Sequence, residues 1–293
     1  MEVHQLRYFC AVARYGTFTR AANIEHVAQP SLSQQIQKLE GELGAPLFDR
    51  LPRSARLTVF GKAFLPRAEQ ILRELDDAKT EMLEMAGEEK GNVVLGVIPT
   101  IASYLLPLLL GGFSSRHAQI KISVVEDVTV VLLDRLHQGT VDLAIVALPV
   151  SGEELASVEL FEEDFFAVLP KTHPRAKQKT IRLEDLKDDS FLLLKEGHCF
   201  RDTMIAACNE SRVKPNFTFE SGQFSTIIAM VSAGMGVSAV PAMAVQPVPN
   251  CRFIRITDKN TKRKIGIIRL RHHFETRAQR VLLHHIQRAC GRA

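Results

Sequence analysis

Cys199 stands in the run Gly197-His198-Cys199-Phe200-Arg201-Asp202, and the residues around it are of the kinds that turn a thiol into a nucleophile. A glycine before the cysteine and a helix-forming stretch after it place the sulfur at a helix N-terminus. There, unpaired N–H groups and the Arg201 charge are expected to favour thiolate over thiol. A thiolate attacks the O–O bond of a peroxide and becomes a sulfenic acid, and the departing hydroxide needs a proton. Thr100, Thr129 and His198 carry side chains able to orient such an oxidant, and Asp202 is expected to order Arg201. The competing reading makes Cys199 an inert cap on a pocket for an organic ligand. Cys208, nine residues on and beside Ile205 and Ala206, reads by itself as a small buried hydrophobe, because free cysteine is among the most buried residue types.

The other candidate groups are weaker. Cys10 falls on the apolar face of a helix, Cys251 has no activating neighbours, and Cys290 lies near a basic C-terminal stretch expected to be exposed and open to adventitious oxidation. The pairs His272-His273 and His284-His285 lie on either side of a strand-to-helix boundary without cysteine or carboxylate companions, so neither a metal nor any cofactor is expected. Gly234 and Gly236 do not make a phosphate loop, and no Ser-His-Asp or paired-carboxylate pattern stands out. An enzyme is therefore not expected.

The chain that must position these groups has 293 residues, 46% hydrophobic and 24% charged, with a formal net charge of +4. It is long enough for two or three domains, and its five cysteines do not make a disulfide framework. The longest apolar run, 104–113, is about half a bilayer span and is interrupted by Pro107, Gly111 and Gly112, which excludes a membrane-spanning helix. Glu2, His4 and Gln5 open the chain where an export signal would be basic and then apolar, so a cytosolic location is expected.

Helical periodicity rules the first sixty residues. Leu6, Phe9, Cys10, Val12 and Ala13 share a face that ends at Gly16, a small-residue segment follows at 19–23, and a third helix begins at Gln29-Pro30-Ser31 and runs to Leu43-Gly44. Ile36, Leu39 and Leu43 make its apolar face. Gln29, Pro30, Ser31, Ser33, Gln34, Gln37 and Lys38 are left to meet base edges and phosphates in a major groove. Residues 47–58 read as a two-stranded wing, and Arg50, Arg53, Arg56, Lys62 and Arg67 form a basic stripe against the single acid Asp49. From Phe64 the pattern Phe64, Ala68, Ile71, Leu75, Ala78, Met82, Met85 gives three heptads of a coiled-coil seam, and hence a dimer, followed by a linker at 87–91. Beyond it, strands at 93–98, 119–125 and 141–147 alternate with helices at 102–113 and 130–137, a βαβαβ unit with a parallel sheet. A second set is expected from strands at 165–169, 191–194, 217–220 and 237–241 with helices from 200 and at 227–233. Late strands at 251–256 and 264–270 precede a terminal helix from 275. Two such lobes leave a cleft at strand C-terminal ends where ligands bind.

Taken together, Leu6-Arg7-Tyr8-Phe9, Phe18, Arg20-Ala21-Ala22, Gln29-Pro30-Ser31-Leu32-Ser33, Ile36, Lys38-Leu39-Glu40, Leu43-Gly44 and Leu47-Phe48-Asp49-Arg50 make the chain resemble a LysR-type transcriptional regulator along its whole length. The resemblance implies an N-terminal all-α winged helix-turn-helix at 1–60, a dimerisation helix and hinge at 61–90, and an α/β effector region at 91–293. That region would be two-lobed like periplasmic binding proteins, with one lobe of 91–161 plus 268–293 and the other of 162–267. A narrower resemblance, to peroxide-sensing members of the family, rests on residues 197–202, Cys208, Ile98-Pro99-Thr100, Tyr104-Leu105-Leu106-Pro107 and Thr129. It implies that Cys199 is oxidised by hydrogen peroxide, that Cys208 resolves it as a disulfide, and that Thr100, Thr129, His198, Arg201, Asp202 and Arg263 shape the pocket. Phe200 and Asn209 depart from the residues common there.

If the helix after Cys199 is continuous, nine residues of rise separate the two sulfurs by roughly 13 Å, while a disulfide needs α-carbons within about 7 Å. Joining them would require the stretch 200–207 to unwind and select a second packing, which can alter the dimer and the spacing of the DNA-reading heads. The expected partners are double-stranded DNA, hydrogen peroxide, a second copy or a dimer of dimers, and RNA polymerase, with no membrane. The alternative effector is an aromatic or carboxylate metabolite held in the inter-lobe cleft by Thr100, Thr129 and Arg263.

Overall fold

A computed structural model describes residues 1–293 except 52–53, 86–90, 214–215, 272 and 292–293, and omits the side chains of 50, 51, 77, 80, 81, 83–85 and 217. The chain forms two compact units, Met1–Glu88 and Glu89–Ala293.

In the first unit α1 (Val3–Tyr15) ends at Gly16 in the left-handed conformation, α2 (Phe18–Ile24) starts under a Thr17 cap whose hydroxyl accepts from Arg20 N, and α3 (Gln29–Leu43) carries proline in its first turn. Leu6, Phe9, Val12, Ala21, Ala22, Leu32, Ile36 and Leu39 close one apolar core between them. Leu43, expected on that face, is instead exposed because it falls in the last turn beside Gly44. The wing is the antiparallel pair β1 (Phe48–Leu51) and β2 (Ser54–Leu57), tied to α3 by the Glu40 carboxylate, which accepts from Leu47 N at 2.8 Å and Phe48 N at 3.2 Å.

The long helix α4 (Val59–Met85) corrects one expectation. Ala68 is buried and Phe64, Leu65 and Leu72 pack on the same core, so the first heptad of the supposed seam is used inside its own unit. Gly61 is required there, since a Cβ would stand 2.1 Å from the Leu47 carbonyl oxygen. Further along, Ile71, Ala78 and Met82 stay exposed. Most of the expected linker at 87–91 lies outside the described residues.

The second unit begins with β3 (Gly91–Val97), α5 (Pro99–Leu110), the short α6 (Phe113–Arg116), β4 (Ile120–Glu126), α7 (Thr129–His137) and β5 (Leu143–Leu148). β3 pairs in parallel with both β4 and β5, as the alternation requires. The chain continues through β6 (Leu155–Pro170), β7 (Thr180–Ile181), β8 (Ser190–Leu194), α8 (Cys199–Glu210), β9 (Asn216–Ser221), α9 (Phe224–Ser232), β10 (Ser238–Pro241), β11 (Cys251–Ile256), β12 (Lys262–Leu270) and α10 (Arg277–Cys290).

The second set of strands departs from a repeat of the first. β10 and β11 run antiparallel to β6, and β8 pairs with β9 in a separate parallel ribbon that touches the rest through a Phe191–Val237 bridge. The cause is the length of β6. A sixteen-residue strand serves β12 and β5's lobe with its first half and β10 and β11 with its second, so strand order is β4-β3-β5-β12-β6-β11-β7. Two hydrophobic cores result, one around β3, β5, α5, α7 and α10, the other around β8, α8, α9 and β10. β6 and β12 run between them. Among the described residues no helix is long and apolar enough to cross a membrane.

Candidate functional site

Strand alternation and helix starts build the site. Gly197 has φ +92°, a left-handed conformation that turns β8 sharply into α8, with His198 as cap and Cys199 as first helical residue. Thr129 opens α7, and its hydroxyl is one of the groups that lower the Cys199 thiol, while Thr100 sits in the first turn of α5 behind Pro99. β12 alternates, sending Lys262 and Lys264 to surface partners Glu162 and Glu159, each at 2.8 Å, and Arg263 inward.

Arg263 is the hub. Its Nε donates to Glu163 Oε1 at 2.7 Å, Nη1 to the Thr100 hydroxyl at 3.0 Å, and Nη2 to the Thr100 carbonyl at 3.3 Å, while Cζ lies 5.5 Å from the centroid of the Phe200 ring. Both members of the ion pair are almost fully buried, at 2% and 5% side-chain exposure. The second Glu163 oxygen accepts from Met243 N at 2.9 Å. Cys199 packs against the core of the first lobe, whereas Phe200, Met204, Ala207 and Cys208 of the same helix belong to the core of the second. α8 therefore straddles the two lobes at its first residue.

Electrostatically, burial pushes the Cys199 thiol up. The Arg263 charge, the Phe200 N–H and the Thr129 hydroxyl pull it back down, and Asp202 opposes them. The expectation of a favoured thiolate is thus corrected: desolvation outweighs the helix terminus, and the cation that counts is Arg263 rather than Arg201. Two residues beyond Cys199, Arg201 lies more than half a turn around the helix, on another face. It donates to Leu194 O at 2.9 Å and pairs with Glu220. Asp202 is exposed and does not order it, because consecutive helical residues do not face one another. His198 is buried at 5% exposure, and burial, followed by Lys195, holds its imidazole below the usual range and so neutral at pH 7. Its Nε2 has no hydrogen-bond partner among the described residues, a cost of about 1–3 kcal/mol that a small polar ligand would offset.

Cys208 is buried at the far end of α8, and burial with the Asp258 carboxylate pushes it up to about 11. Along a continuous helix Cys208 stands roughly 13 Å from Cys199 and about half a turn out of phase with it. Cys290, expected to be exposed, is buried, since the last turn of α10 packs on the first core. Sequence pattern does not single out Glu163 or Met243. The readable signal was charge complementarity: Lys262-Arg263-Lys264 lies opposite Glu162-Glu163-Asp164 in the β12–β6 register, with the middle residues directly paired.

On the first unit, α3 leaves Gln29, Pro30, Ser31, Gln34, Gln37 and Lys38 exposed and Ser33 half-buried. Arg56 lies in β2, while Arg53 and the Arg50 side chain lie outside the described residues. Residues 3–62 match the family of bacterial regulatory helix-turn-helix proteins, lysR family, and residues 86–291 match the LysR substrate binding domain. The chain belongs to the LysR family.

LysR-family proteins are DNA-binding transcriptional regulators, not enzymes, and the N-terminal helices and α/β lobes are theirs. Relatives include the HTH-type regulator YybE of Bacillus subtilis, 32% identical over 97% of this chain and 99% of its own. The DNA-binding transcriptional dual regulator OxyR of Escherichia coli is 35% identical over 84% of this chain and 81% of its own. Among LysR-family structures, a full-length OxyR from Pseudomonas aeruginosa bearing a cysteine-to-aspartate substitution superimposes with a TM-score of 0.79 at 31% identity, covering 98% of both chains.

Proposed function

We propose that this LysR-family regulator senses hydrogen peroxide through Cys199 and stores the signal as a Cys199–Cys208 disulfide. The observation that carries the reading is the setting of Cys199, at a helix N-terminus, its thiol lowered by the Arg263 charge and the Thr129 hydroxyl, and following a histidine whose buried Nε2 has no partner among the described residues. Relatives described as OxyR and as hydrogen peroxide-inducible genes activators support it. Arg263 argues against the metabolite alternative. A carboxylate ligand would need the guanidinium fork, and that fork is already committed to Glu163 and Thr100.

In the mechanism the Cys199 thiolate attacks one peroxide oxygen, the O–O bond breaks, and hydroxide departs. With the proton released by the thiol, that hydroxide leaves as water. The Thr129 hydroxyl and the neutral His198 Nε2 orient the oxidant, while Arg263 offsets the charge on sulfur. The sulfenic acid then takes the Cys208 thiol: an S–S bond forms, the S–O bond breaks and a second water leaves, so that two thiols and one peroxide give one disulfide and two waters. Closure requires α8 to unwind, drawing Phe200 and Met204 from the second core. α4 would pair two chains through Ile71, Ala78 and Met82, giving a dimer or dimer of dimers whose α3 helices read two half-sites.

The deciding experiment is a stoichiometric peroxide pulse on the reduced full-length protein, followed by thiol mapping and footprinting on duplex DNA. A Cys199–Cys208 crosslink with an altered footprint is expected. Cys199→Ser should abolish the response while leaving the DNA affinity of the reduced form nearly intact. Absence of the crosslink with an unchanged footprint would reject peroxide sensing and return the cleft metabolite.

A further inference from the structure

We propose that Glu163 is a positioning residue for Cys199: by clamping Arg263 from the opposite strand, it sets how much of that guanidinium's charge reaches the sulfur. This rests on Cys199 being the reactive thiol, as read above, but not on peroxide being its oxidant.

The geometry leaves Arg263 no solvent to share its charge with. Its partners among the described residues are Glu163 on β6, Thr100 on α5, Met243 Sδ at 3.7 Å, and the face of Phe200 on α8. In such surroundings a lone cation acts at long range, whereas a cation locked 2.7 Å from a carboxylate acts as a dipole that fades quickly with distance. Glu163 is itself immobilised, because its other oxygen holds Met243 N, so the dipole has one orientation.

The remaining groups near the thiol do not duplicate this. On α8, Asp202 works against the thiolate, Arg201 is committed to Glu220, and His198 is held neutral next to Lys195. α7 presents the uncharged Thr129 hydroxyl, and Asp127 just before it faces Arg135 at 3.8 Å. α5 presents Thr100 and Tyr104, the latter also within the field of Arg263. On β12 and β6 the charged neighbours Lys262, Lys264, Glu162, Glu159 and Asp164 pair at the surface. Among the described residues the carboxylate facing Arg263 directly is that of Glu163, and its removal should strengthen the cation felt by Cys199.

The test is the pH profile of Cys199 alkylation by iodoacetamide in the reduced full-length protein, read by peptide mass spectrometry, with Cys208 and Cys251 in the same digest reporting any loss of fold. E163Q keeps the side-chain size and removes the charge. Its alkylation midpoint should fall by about one pH unit, and the neutral-pH rate should rise only about threefold because a thiolate of lower basicity is a poorer nucleophile. The double variant E163Q/R263Q removes the cation as well and should move the midpoint upward. Opposite movements with Cys208 and Cys251 protected support the assignment. An unchanged E163Q midpoint, both variants moving down together toward an exposed cysteine, or alkylation of Cys208 in E163Q would assign Glu163 to holding the fold alone and overturn it. A wild-type protein that peroxide does not oxidise would end the sensing proposal yet leave this result standing.

Discussion

Phe200 is the largest of the buried side chains that tie α8 to the reduced fold, and cutting it should shift the redox equilibrium by a calculable amount. The ring is 1% exposed, packs with centroids 4.6 Å from Phe165 and 5.0 Å from Phe224, and carries the Arg263 guanidinium on its face. Truncation of such a side chain to alanine costs about 3–5 kcal/mol in a folded core. If the disulfide forms only when α8 leaves that core, the penalty falls on the dithiol state and largely spares the oxidised one. Destabilising the reduced partner makes reduction less favourable. At about 30 mV per 1.4 kcal/mol for a two-electron couple, a 3 kcal/mol penalty moves the potential roughly 60 mV more negative. Equilibration of Phe200→Ala and wild type in graded dithiol buffers, with acid quench and mass spectrometry of the Cys199–Cys208 pair, reads the shift. A thermal melt of the reduced protein should fall in parallel. A lower melting temperature with an unmoved potential would mean that Phe200 stays packed in both states, and the unwinding mechanism would be refuted.

Two further outcomes follow from separate parts of the molecule. Cys208 has its thiol pushed up to about 11, above its value in the unfolded chain. It therefore contributes stability that is complete below about pH 9 and is lost as pH rises toward 11; denaturant melts should show that decline, and Cys208→Ala should make it shallower without abolishing it, because burial also pushes up the thiols of Cys10, to about 12, and Cys199. Lys38→Ala, on the exposed face of α3, should weaken binding to all duplexes alike and reduce the slope of log affinity against log salt by about 0.9 for each bound α3 helix, hence about 1.8 for a dimer on two half-sites, measured by anisotropy titration; an unchanged slope would place Lys38 away from phosphate.

Local pattern made the helical head and the first α/β lobe legible. Pro30 in the first turn and Gly44 after the last delimit α3 within a residue, and the alternation from 91 to 148 gives a parallel sheet because such crossovers have few alternatives. The second lobe was less legible, because nothing in the residues of β6 announces that one strand will serve two lobes. The heptads of α4 read as an intermolecular seam, whereas Phe64 and Ala68 pack within their own unit, since periodicity reports that a face is apolar and not what covers it.

Cys199 itself could be found from its neighbours along the chain, but those neighbours misled about its electrostatics. Arg201 and Asp202 are close in number and point elsewhere, while the cation that acts comes from Arg263 and the carboxylate that restrains it is one hundred residues away on a paired strand. The order of residues specified where helices begin, which faces are apolar and which cysteine lies at a helix start, because those depend on backbone sterics and short-range periodicity. Folding in three dimensions set the partner of Arg263, the burial that holds the thiol protonated, and the opposed placement of Cys199 and Cys208, because charge and desolvation act through distances that strand register and packing create.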